Sequence, residues 1–129
     1  MKGDDLSERL LAFAVRITRL VGSLPKNLVG RHLAGQLLRC GTSGGSNYEE
    51  ARGAESKADF AHKMGVSWKE TREAWYWLRL VHKAELLKLK LVEQLIKEAN
   101  ELAAILGKSL ATVHGRSKKP RGGEDNPNS

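Results

Sequence analysis

Four segments of this chain repeat apolar residues at spacings of three and four. They are Leu6, Leu10, Phe13, Ile17, Leu20 and Leu24; then Leu33, Leu37, Cys40, Gly44, Asn47 and Ala51. The third is Phe60, Met64, Ser67, Thr71, Ala74 and Leu78, and the fourth Val92, Leu95, Ala99, Leu102, Leu106, Leu110 and Val113. At 100° per residue each set falls on one side of a helix, and no stretch reads as a strand. A helix with one apolar stripe must bury it against another. Four such helices joined by short turns predict an all-α fold, an antiparallel up-down-up-down four-helix bundle.

The punctuation divides the chain accordingly. Asp5-Leu-Ser-Glu8 has the form of a capping box for the first helix, and Gly22 marks its end. Ser23-Leu-Pro25-Lys26 is the first turn, with proline suited to the opening turn of a helix that then runs to about Arg52. Its middle, Gly41-Thr-Ser-Gly-Gly-Ser46, is poor in helix formers, each glycine costing about 1 kcal/mol against alanine. The three- and four-residue rhythm continues through that segment, so the small residues are expected to admit a neighbouring helix rather than to break the helix. Gly53-Ala-Glu55 is the second turn, and Ser56 with Asp59 opens the third helix. No glycine or proline closes that helix, which fades over His82–Leu86. Gly115 is expected to end the fourth. Residues 1–114 therefore form the bundle, and 115–129 a disordered tail, basic and then acidic.

The third helix has more to its circumference than one stripe. Opposite its apolar face lie Lys69, Arg72, Tyr76, Arg79 and Lys83, a basic row about 20 Å long with one aromatic in it. Trp68 and Trp75 widen the apolar face on one flank. Val66, Trp77 and Leu80 sit on the other, where they are expected to meet a second subunit.

Charge and residue inventory narrow the function. The 129 residues carry a formal charge of +7, which attracts polyanions, and nucleic acid is the commonest of these in the cytoplasm. No run approaches the ~20 apolar residues of a membrane span, and Asp4 and Asp5 stand where a signal peptide needs positive charge. A cytoplasmic protein without membrane association is expected. The single cysteine, Cys40, reads as a small buried hydrophobe. Di-iron bundles need Glu-x-x-His on two helices; only Asp59-Phe-Ala-His62 comes near, so no metal is expected. No nucleophile-and-base pattern appears, and the glycine run lacks the lysine of a phosphate loop. Neither a catalytic residue nor a cofactor is expected. Asn47, Glu50, Ser67 and Thr71 fall on inner faces and are expected to bond one another across the helices, because buried polar groups must be paired.

The electrostatic reading then assigns Lys69, Arg72, Tyr76, Arg79 and Lys83 to binding RNA or DNA. Phosphates would lie on the cations and a base on the tyrosine. Arg116, Lys118, Lys119 and Arg121 would add an unstructured basic arm. The competing reading is a scaffold for another protein, its charge serving solubility.

Several pieces also resemble one family in order. Ser43-Gly-Gly-Ser46-Asn47-Tyr-Glu-Glu50-Ala51 is similar to its S-x-x-x-N-x-x-E-G segment. Ser56-x-x-Asp59-Phe60, Ser67-Trp-Lys-Glu70 and Glu73-Ala-Trp-Tyr76-Trp77-Leu78-Arg79-Leu80 are similar to its S-x-x-E-F, S-x-x-E and E-T-x-Y-W-L-E-L elements. The family comprises four-helix-bundle proteins named for members encoded in intervening sequences of bacterial 23S rRNA genes, and the resemblance spans roughly residues 5–112. Gly44-Gly45 stand where the family more often has bulkier residues, Ala51 replaces a glycine, and Arg79 replaces a glutamate. The resemblance implies a left-handed antiparallel bundle, a ring-shaped homopentamer and no established enzymatic activity. A related branch, the accessory variability protein of diversity-generating retroelements, is a basic pentamer that partners a reverse transcriptase and binds nucleic acid.

Overall fold

In the computed structural model, residues 2–118 are described, with side chains through 115. Helices α1 (Gly3–Val21), α2 (Leu28–Arg52), α3 (Lys57–Lys83) and α4 (Leu89–Lys118) follow one another, with no strand among the described residues. Successive helices run antiparallel. Asp4 meets Arg52 while Ile17 lies beside Gly41, and Glu50 meets Lys63 while His32 lies beside Trp77. The fold is an all-α four-helix bundle.

The predicted stripes supply the core. Leu10, Ile17, Leu37, Met64, Leu78, Leu102 and Leu106 are fully enclosed, each worth roughly 1.5–3 kcal/mol over exposure. Phe60 and Leu110 are only half-buried against that core, near the end of the bundle where neighbouring turns run out. Tyr48 is buried as well, although its position was not among the predicted core.

The helix ends show where tertiary contacts overrule local signals. α1 begins at Gly3 with Lys2 as its N-cap, so Asp5 lies inside the first turn and the expected capping box does not form. The extra turn is tied to α2: the Tyr48 hydroxyl donates to the Gly3 carbonyl and Arg52 pairs with Asp4 at 2.7 Å. α2 is capped by Asn27, whose side chain accepts from the Gly30 N–H at 2.9 Å, leaving Pro25 in the connection rather than in the helix. Ser56 caps α3 as expected. α3 ends without glycine because Glu85 adopts a left-handed φ of 58°. The Leu86 N–H bonds the Val81 carbonyl and the Glu85 N–H bonds the His82 carbonyl, the Schellman pattern, while Leu86 packs on the core. α4 continues through Gly115 to Lys118, since one glycine weakens a helix interior without stopping it. The tail expected to be disordered lies outside the described residues beyond Lys118.

α2 is unbroken across its small residues. A Cβ on Gly41 would lie 2.8 Å from the Ile17 side chain, and one on Gly45 would lie 3.3 Å from Leu10. On Gly44 it would strike the Thr71 hydroxyl of α3. The absent side chains are what let α2 sit against both neighbours.

Candidate nucleic-acid interface

Burial fixes the rotation of α3. With Met64, Ser67, Thr71, Ala74 and Leu78 turned inward, the residues half a turn away must face out. Lys69, Arg72, Tyr76, Arg79 and Lys83 are all exposed, on one side of the helix and along about 21 Å of it. Among the described residues none of these four cations forms an ion pair. The cations on the seams between helices behave differently. Arg39 of α2 pairs with Glu70 at 2.6 Å and with Glu73; Arg9 of α1 pairs with Glu98 at 2.7 Å and with Glu101 of α4. Arg52 pairs with Asp4, and Lys63 with Glu50. The hydrogen bond to Glu98 is the largest reason the Arg9 guanidinium holds its proton more tightly than usual.

Two of the free cations are nevertheless positioned. The Arg72 guanidinium stands 5.7 Å from the Trp68 ring centre and 5.6 Å from that of Trp75, and Arg79 stands 4.6 Å from Trp75. Both indoles are half-buried and packed on the core, Trp68 lying across Gly107 of α4. The sequence reading placed these tryptophans on an apolar flank and missed their outer faces. The signal was present: Trp75 is three residues after Arg72 and four before Arg79, spacings at which helical side chains touch.

Tyr76 is 53% exposed and meets Trp77 edge-on, ring centres 5.1 Å apart at 75°. Trp77 in turn meets His32 of α2 at 5.9 Å and donates its N–H to Glu73 at 2.9 Å. Trp77 thus has partners within its own chain. It and Leu80 lie one turn apart and are half-buried; Val66, half-buried too, lies on the same flank three turns away, about 17 Å down the helix. Leu28 (83% exposed) and Val29 (53%) stand about one turn before His32 on α2. Arg116 and Lys118 fall on the last turn of α4, and Lys119 and Arg121 lie outside the described residues.

The polar set on the inner faces is a chain of local bonds rather than one network. The Ser67 hydroxyl donates across the seam to the Gly44 carbonyl at 2.6 Å, and Thr71 donates to the Ser67 carbonyl at 2.9 Å; both side chains are buried. Asn47 instead donates to the Ser43 carbonyl of its own helix. Glu50 is exposed and pairs with Lys63, contrary to its expected inward position. It sits about 120° from the buried Gly44 and about 100° from the buried Ala51 on the helical wheel, off the inner face.

Cys40 is 1% exposed, and burial, helped by nearby Glu73, pushes its thiol up to about 12. It is a packing group. A surface cavity of about 710 Å³ opens between the start of α3 and the end of α4, beside Ser56, Phe60 and His114, but the Ser56 hydroxyl is committed to the helix cap. Among the described residues no His, Cys, Asp or Glu cluster could hold a metal ion, and no helix is long and apolar enough to cross a membrane.

A family model for the 23S rRNA-intervening sequence protein matches residues 5–108. The chain belongs to that family. It is also similar to a crystal structure of a protein of unknown function from the S23 ribosomal protein family of Bacteroides thetaiotaomicron. Identity to it is 34% and the TM-score 0.75, over 81% of this chain and 97% of that one. No curated protein of described function matches. The match to the family model spans α1 to α3 and most of α4, so the basic row of α3 lies on the part of the chain that carries the family likeness.

Proposed function

We propose that this protein is a non-enzymatic, cytoplasmic, homo-oligomeric bundle that binds RNA or DNA through the outward face of α3. The observation that carries the reading is that face itself: four exposed cations without a carboxylate partner among the described residues, with Tyr76 between them. Contacts of this kind go to phosphates and position a chain without reading its sequence. Membership of a family named for an rRNA insertion is consistent with a polynucleotide partner. Titrating fluorescent RNA and DNA at two salt concentrations tests it. Binding that weakens steeply with salt, by a log–log slope of roughly 0.7–0.9 for each phosphate neutralised, is expected. Absence of binding at low salt rejects it.

Assembly, a pentamer by family resemblance, rests on Val66, Trp77 and Leu80 along one flank of α3, and Leu28 and Val29 of α2 are exposed as well. Trp77→Asp is expected to dissociate the oligomer in sedimentation while helix content is retained; an unchanged assembly places the contact elsewhere. The same exposed aliphatic pair favours a second reading, in which the ring scaffolds another protein such as a reverse transcriptase. That reading predicts no salt-sensitive nucleic-acid binding.

A further inference from the structure

We propose that the centre of the α3 face seats one splayed nucleotide of a single strand. Tyr76 stacks on the base, Arg72 and Arg79 hold the flanking phosphates, and Trp75 is the positioning residue for both guanidiniums. This rests on the nucleic-acid reading and narrows it from a charged stripe to a built site.

Three observations carry it. First, both arginines lie on one indole, at 5.6 and 4.6 Å, and that indole is anchored in the core. A free arginine loses much rotamer freedom when it grips a phosphate, whereas one already stacked loses less. Second, two like charges held on a single ring without an acid partner among the described residues repel each other, and an anion relieves that repulsion. Third, Tyr76 lies between them on the outward side, half-exposed, its ring braced edge-on by Trp77.

The convergence of the two arginines selects the strand type. Their guanidiniums, 5.6 and 4.6 Å from one ring centre, stand close enough together to take the phosphates on either side of one nucleotide. In a duplex the base of that nucleotide is stacked inside, where Tyr76 has no access. A single strand can splay one base outward onto an aromatic ring and keep its phosphates on the flanking cations.

The test uses the full chain and a fluorescent oligonucleotide of about twelve residues, within the range of a single-strand site, both single-stranded and annealed to its complement. Single strands are expected to bind at least about tenfold tighter, and Tyr76→Ala to remove about tenfold from single-strand binding while leaving the duplex unaffected. Trp75→Leu keeps every charge, and a loss of about fivefold that Trp75→Tyr restores would mark a positioning role; helix content is read alongside. Should Trp75→Leu unfold, Arg79→Lys takes its place, keeping the charge without the planar stack, with a loss of about threefold or more expected. Equal binding of duplex and single strand, or wild-type affinity for Tyr76→Ala or for the stacking variants, overturns this site while leaving the general reading intact. No binding of either form at low salt overturns both.

Discussion

Helix α3 carries polar side chains on two opposite faces, and the two are held in opposite ways. Inside, Ser67 and Thr71 are buried and every hydroxyl is bonded to a backbone carbonyl, one of them across the seam to Gly44. Outside, Lys69, Arg72, Arg79 and Lys83 stand in water without an ion pair among the described residues, two of them steadied only by indole rings. The inner groups are small because α2 comes close enough that a Cβ at Gly44 would strike Thr71. The outer groups are long and charged, and nothing among the described residues covers them. Polarity inside the seam sets register; polarity outside remains available to a partner.

The inner face should break hardest. Gly44→Leu is expected to cost about 3 kcal/mol in chemical denaturation, by overpacking the α2–α3 seam. Gly35→Ala in the same helix has nothing within 4 Å of its added carbon and is expected to stabilise by about 1 kcal/mol. If both glycines behave alike, the seam is not the tight contact described. Next in size is the alkaline response of Cys40, next to that seam. Its folded pKa is raised, from the usual 9.0 to about 12, so the native state keeps the proton longer. The contribution is full below pH 9 and falls through the window up to about 12. Stability relative to Cys40→Ala is expected to drop by roughly 2 kcal/mol by about pH 10.5. A parallel pH profile for the two proteins would show the thiol to be solvated.

Ser67→Ala removes one cross-seam bond and is expected to cost about 1 kcal/mol. The outer face supplies the smallest stability effect. The double variant Lys69→Glu/Lys83→Glu should melt within about 0.5 kcal/mol of wild type, yet lose most salt-sensitive nucleic-acid binding and lower the salt slope. A large destabilisation there would mean the outer cations hold the bundle together after all.

Much of this was legible in the order of residues. The four apolar stripes, the close-approach reading of Gly41–Ser46, the Ser56 cap and the outward basic row all follow from helical periodicity, and each stands in the structure. What was not legible depends on a second helix. Asp5 looks like a cap until Tyr48 and Arg52 hold an earlier turn in place. Glu50 was expected inward, but it lies about 120° round the helix from Gly44 and pairs with Lys63 of α3. Glu85 looks unsuited to ending a helix, yet Leu86 packing on the core stabilises its left-handed backbone.

The amino-acid order by itself determined the helices, their inward faces and the sign of the outward one, because each depends only on the angle between residues on a single helix. Which polar groups bond across the seams and which cations are paired were decided by packing. Those depend on distances between chain segments far apart in sequence, set only once the helices meet.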